Sequence, residues 1–145
     1  MKRTYGAVLV LALFGMVSCH TEELDFNTVR DQKWLLKCIN DGSNLNVKNK
    51  DYHREDAFIL EINGDSFYSL NSDANYAGGS FEVPENGKIE IGSYGEFSEA
   101  ASSDEHAREV VSKLTETLPL VTEYKIMGNH LYFKGPDLKI KFEMR

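Results

Sequence analysis

The sequence predicts a mainly β fold of the α+β class: a curved antiparallel sheet or incomplete barrel with one packed amphipathic helix. Three observations predict it. Short runs of alternating apolar and polar residues are separated by turn signals, among them Asn63-Gly64, Pro84-Glu85-Asn86-Gly87, Gly128-Asn129 and Gly135-Pro136-Asp137. A single stretch, between Ser102 and Pro119, repeats its apolar residues at helical spacing. Strands joined by tight turns pair antiparallel, and a sheet of roughly seven or eight such strands curls or closes to hide its edges.

The chain begins with an address. Lys2 and Arg3 precede an apolar run over residues 6–17, and the small Ser18 stands before Cys19. The run is shorter than the ~20 residues that span a bilayer. Met16-Val17-Ser18-Cys19 resembles the bacterial lipobox, with Met16 where leucine is usual. That resemblance implies that Cys19 is the lipidation site and the mature N-terminus. Residues 1–18 are then a lipoprotein signal peptide, 19–31 a lipidated tether and 32–145 the folded domain. The expected location is the bacterial cell envelope, at the outer membrane, on its periplasmic or surface face. Glu22, Glu23 and Asp25 also resemble the acidic export signals of surface lipoproteins, although His20-Thr21 departs from their usual start.

The elements follow in order. Residues 32–40 form a strand with Trp34, Leu36 and Cys38 on one face, while Leu35 and Ile39 break strict alternation. Residues 41–56 are polar and read as a long loop with a short irregular strand near 45–47. Strands at 57–62 and 66–70 flank Asn63-Gly64-Asp65, a strong hairpin signal, with Phe58, Leu60 and Ile62 facing the core. A second hairpin joins 80–83 to 88–92, turning Ile89 and Ile91 inward. Ser102 and Glu105 have capping-box spacing, and Ala107, Val110, Val111, Leu114 and Leu118 make one apolar stripe that Pro119 ends. Strands at 121–127, 130–134 and 138–143 complete a meander.

Charge and cysteines narrow the function classes. The chain carries a net charge of −7, and losing Lys2 and Arg3 with the signal makes it more negative. Such a balance disfavours nucleic acid and direct adsorption to anionic lipid, leaving the N-terminal lipid as the membrane attachment. If Cys19 is acylated, Cys38 has no disulfide partner and reads as a small buried residue.

From Trp34 to Phe142 the chain resembles the META/HslJ-like domain, a small envelope domain often found in bacterial lipoproteins. The match lies in Trp34 of the opening strand and in Phe58-Ile59-Leu60. It continues through the Asn75, Gly79 and Phe81 signature, Ile89 and Ile91, and the closing hairpin Tyr124-Lys125-Ile126-Met127-Gly128-Asn129-His130-Leu131. Two departures stand out. Ala74 occupies the place of a cysteine common before the family's Asn, and residues 98–102 replace the Thr-x-x-x-Cys ahead of its helix. The family's cross-link is therefore missing, and a relative among lipocalin-like lipoproteins is the alternative. The resemblance implies a barrel-like sheet with one packed helix and no established catalytic activity.

No catalytic residue is identified. Asp51, His53 and Glu55 would share a face of an extended strand, but no second cluster supports a metal site, and none is assigned. Ser80 lacks the Gly-x-Ser-x-Gly elbow, and Gly78-Gly79 lacks the spacing and lysine of a phosphate loop. No cofactor is expected. Tyr76, Tyr94 and Phe97 sit in Gly-rich connections, where aromatics either stack on a sugar or anchor a partner, or else cover the open end of the barrel. The expected function is that of a non-catalytic, lipid-anchored envelope protein contacting another envelope protein or a glycan, in envelope maintenance or stress. The alternative is a carrier of a small apolar ligand in a lipocalin-like barrel.

Overall fold

The structure is a computed structural model that describes residues 25–48, 52–97 and 100–145. The expected signal peptide, Cys19, Asp51 and Ser98 lie outside these residues. Asp25 caps a short helix, α1 (Phe26–Arg30), by accepting the Asn27 N–H at 2.9 Å. Phe26 and Val29 are buried, and Phe26 packs its ring 5.3 Å from those of Phe81 and Tyr124. Residues 26–30, expected to lie in the tether of 19–31, thus form a helix packed on the core. Its apolar pair, Phe26 and Val29, one turn apart, joins the buried core instead of facing water.

Trp34 opens β1 (Trp34–Asn40), fully buried, with its indole N–H donating to the Val29 carbonyl at 3.0 Å. One edge of β1 pairs with β10 (Leu138–Met144), and the other pairs first with β3 (Ile59–Asn63) and then with β2 (Asn44–Asn46). The β1–β10 register slips between Leu36 and Cys38. This irregularity moves Ile39 to the inside, where it is fully buried, and leaves Cys38 half-buried. The expected inward Cys38 is corrected accordingly.

Both predicted hairpins form. Asn63-Gly64 turns β3 into β4 (Phe67–Leu70), with Gly64 at φ +68°. Phe58 and Leu60 are buried as expected, Ile59 joins them, and Ile62 is half-buried. Phe58 adopts a left-handed φ of +57°, held by its N–H to Asn71 O at 2.7 Å and its carbonyl to Leu36 N at 2.9 Å. Across the Pro84-Glu85-Asn86-Gly87 turn, β5 (Ala77–Glu82) pairs with β6 (Glu90–Ile91), and its start also pairs with the unforeseen β7 (Gly95–Glu96).

Helix α2 (Glu105–Thr117) is capped by Asp104, not Ser102, with the Asp104 carboxylate accepting the Ala107 N–H at 2.9 Å. Ser102 is drawn away by Asp73, to which its hydroxyl donates at 2.8 Å. Ala107, Val110, Leu114 and Leu118 are buried, the last in a 3-10 turn (Leu118–Leu120). β8 (Glu123–Met127) and β9 (His130–Gly135) then lead to β10.

The antiparallel order is β6-β5-β4-β3-β1-β10-β9-β8, with β2 and β7 as branches. Its two ends meet. Ile89 N–H donates to Thr122 O at 3.1 Å, Tyr124 N–H to Gly87 O at 3.0 Å, and Lys88 pairs with Glu123 at 2.5 Å. The ten-stranded sheet is therefore nearly closed into a barrel with α2 packed on its core. Trp34, Phe58, Leu60, Ile89, Ile91, Val110 and Leu114 all belong to one buried cluster inside it.

Candidate functional site at the aromatic corner

Between β4 and β5 the chain turns through Asn71-Ser72-Asp73-Ala74-Asn75, and all four polar residues there are buried. Each is occupied. Asn75 Nδ2 donates to Ala100 O at 2.6 Å, and Ala100 N–H donates back to Oδ1 at 3.1 Å. Asp73 accepts from His53 N–H at 2.7 Å and from Ser102. Ser72 Oγ accepts Asn75 N–H at 3.0 Å and donates to Glu96 at 2.7 Å. These bonds give the signature Asn75 a structural task and make the corner a rigid floor.

On that floor stand two exposed aromatics. Tyr76 is 60% and Phe97 73% exposed, and the Phe97 N–H donates to the Tyr76 carbonyl at 2.7 Å, so β5 and β7 hold them side by side. Arg54 lies 3.9 Å from the Tyr76 ring centroid. Its guanidinium is itself fixed, donating to both oxygens of Asp56 at 3.0 and 2.9 Å. Asn71 donates to Asp56 at 2.6 Å and accepts the Ala77 N–H at 2.9 Å, tying the fork to β5. Burial opposes ionisation of Asp56, but the Arg54 and Asn71 hydrogen bonds prevail and hold its carboxyl below the usual range. An aromatic pair with a preset cation suits stacking on a sugar or anchoring a partner side chain.

Tyr94 does not belong to this surface. It is 4% exposed, its hydroxyl donates to Leu70 O at 2.9 Å, and burial raises its pKa. The expected trio therefore divides into two accessible residues and one core residue. Arg54, absent from the sequence expectation, sits in the loop read as solvated. Only its tertiary meeting with Tyr76 distinguishes it.

The other candidates do not assemble. His53 and Glu55 are exposed, and among the described residues no three His, Cys, Asp or Glu side chains converge. Cys38 Sγ donates to Asn44 Oδ1 at 2.8 Å, and burial pushes its thiol up against the opposing pull of Lys141 and Lys139. A cleft of about 940 Å³ opens where β1 passes from β3 to β2, and Lys48, His53, Arg54, Glu55 and Arg145 are among its lining. It is open and polar, unlike the enclosed apolar cavity that a lipid carrier needs.

No family model matches the chain, and no curated protein matches it in sequence. Three solved structures share its fold at low identity. One NMR structure has a TM-score of 0.61 at 12% identity, covering 83% of this chain and 94% of its own. An NMR structure of a protein from Burkholderia xenovorans has a TM-score of 0.60 at 14% identity, covering 100% and 99%. A DUF4847 family protein from Bacteroides vulgatus has a TM-score of 0.50 at 13% identity, covering 81% and 95%.

Proposed function

We propose that this chain is a lipid-anchored protein of the bacterial envelope whose META/HslJ-like domain works without catalysis, by contact with an envelope protein or glycan. The observation that carries this reading is the Tyr76–Phe97 pair, exposed side by side over a hydrogen-bonded floor and flanked by Arg54. Exposed aromatics held rigidly bind at low entropic cost. The lipobox-like Met16-Val17-Ser18-Cys19 supports anchorage at the outer membrane. The filled barrel interior argues against the carrier alternative, because the side chains that would line a ligand cavity pack against one another.

The test is in-cell crosslinking of the tagged protein with identification of the captured species, run beside a Tyr76→Ala, Phe97→Ala double variant. A partner or glycan captured by the wild type and lost by the folded variant supports the corner as the contact. Equal capture by both overturns it. Anchorage is tested separately by lipid labelling of Cys19→Ser, which abolishes the label if the lipobox assignment holds; unchanged labelling refutes it.

A further inference from the structure

The chain is acidic, yet one side of the barrel is not. In β8, β9 and β10 the inward residues Tyr124, Leu131, Phe133, Ile140 and Phe142 are buried, which turns their alternates outward. The register sets Lys139 opposite Lys134, Lys141 opposite Tyr132, and Lys125 opposite Tyr132 on its other side. Four lysines thus surround one tyrosine on three adjacent strands. Lys139 Nζ lies 4.6 Å from the Tyr132 ring centroid.

Two acids share this face without cancelling its four lysines: Glu123 stands opposite Lys134, and Glu143 opposite His130. Glu123 pairs with Lys88 at 2.5 Å, and Glu143 faces His130 at 3.8 Å. Asp137 is in the exposed turn between β9 and β10. Among the described residues, none of Lys125, Lys134, Lys139 and Lys141 has a carboxylate within 4.0 Å. Directly opposed like charges such as Lys134 and Lys139 destabilise a sheet. With 23 acidic residues against 16 basic ones, a face that gathers four lysines and two glutamates runs against the chain's own composition. Met127, 53% exposed, ends the same outward row of β8 beside His130.

We infer that the outer face of β8, β9 and β10 docks on the anionic phospholipid headgroups of the membrane. Lysines supply the charge complementarity, while Tyr132 and Met127 supply the amphipathic ring and apolar tip that favour the headgroup level. The acidic remainder is repelled by the same surface, so the uneven charge orients the domain as well as holding it. Net charge alone conceals this, because it treats the lysines as evenly spread. The inference rests on the proposed anchorage only for its setting. Five residues separate Cys19 from Asp25, a reach of at most about 20 Å, which keeps the domain close to the bilayer.

The test is vesicle cosedimentation of the unlipidated chain from residue 19 carrying Cys19→Ser, whose core is complete within residues 25–145. Vesicles of phosphatidylcholine mixed with phosphatidylglycerol are expected to bind it, more weakly as salt rises, and pure phosphatidylcholine vesicles are not. Each of Lys125→Gln, Lys134→Gln, Lys139→Gln and Lys141→Gln is expected to lower partitioning about fivefold. Lys→Arg at the same four positions is expected to keep it, and Lys33→Gln to leave it unchanged. Equal binding to both vesicle types, or equal binding by the Gln and Arg sets, overturns the inference. So does capture by a DNA duplex or by inorganic phosphate without vesicle binding. Because the protein tested has no lipid, failure here leaves the Cys19 anchor standing, and failure of Cys19 labelling leaves this result standing.

Discussion

Asn75 and Ala100 hydrogen-bond to each other in both directions, the side-chain amide of one matched to the peptide groups of the other at 2.6 and 3.1 Å. Together with the Ser102–Asp73 bond, this joins the corner after β4 to the segment ahead of α2.

Asn75→Ala removes both bonds and leaves the Ala100 peptide groups without their partner. Its expected cost is about 1 to 2 kcal/mol, the net worth of two hydrogen bonds, because Ala100 is exposed and its peptide groups can turn to water. A lowered urea midpoint with an unchanged slope checks this; a midpoint equal to that of the wild type would show the clamp to be dispensable.

Two of the buried tyrosines, Tyr68 and Tyr94, are expected to respond oppositely to loss of a hydroxyl. Among the described residues Tyr68 OH is buried with no hydrogen-bond partner, and burial raises its pKa. Tyr68→Phe is therefore expected to hold or raise stability, by up to about 1 kcal/mol. Tyr94 OH donates to Leu70 O, so Tyr94→Phe is expected to cost about 1 kcal/mol. Thermal melts of the two variants decide the matter, and a fall in Tm for Tyr68→Phe would reveal a partner for that oxygen.

Asp41 ties the β1–β2 turn to α2 through Lys113 Nζ at 2.7 Å. The Lys113 hydrogen bond, helped by Ser43, lowers the Asp41 pKa from 3.8 to about 2. A carboxyl depressed by folding stabilises above its unfolded pKa and loses that contribution as pH falls through the folded one. The stability gap between wild type and Asp41→Asn is expected to be full above about pH 4 and to close towards pH 2. Denaturation of both proteins across that range measures it. A gap that stays constant to pH 2 would assign the effect of Asn to something other than ionisation.

How far these features are legible in the sequence depends on their range. The Asn63-Gly64 hairpin and the stripe of Ala107, Val110 and Leu114 are written locally, in turn chemistry and helical period, and both form. Closure through Lys88 and Glu123 joins residues far apart in the chain, and no local signal foretells it. The register slip after Leu36 exchanges Cys38 for Ile39 on the inner face, because side chains alternate and one residue reverses them. The same parity separates Tyr76 from Tyr94: both lie near glycines, and only the pairing of β5 with β7 decides which meets water. The lysine alternation of β10 is visible in Leu138-Lys139-Ile140-Lys141, but its partners on β9 and β8 appear only with the ladder. Arg54 reaches Tyr76 across the fold and leaves no trace in spacing.

Gly78 tests why the corner needs its glycines. A Cβ built there would lie 2.1 Å from the Tyr68 carbonyl oxygen and 3.0 Å from Ser69 Cα, both backbone atoms of the paired strand β4. Backbone locked in a ladder cannot rotate aside as a side-chain tip can, so β4 and β5 would have to part. Gly78→Ala is expected to cost about 3 kcal/mol or more, at the upper end of overpacking. Gly95 provides the control, because nothing lies within 4 Å of a Cβ there. Gly95→Ala restricts the unfolded chain and is expected to be neutral or slightly stabilising. Chemical denaturation of the two variants side by side checks the contrast. Equal small effects would mean that the strands yield at Gly78, and the close approach would then not be what requires glycine there.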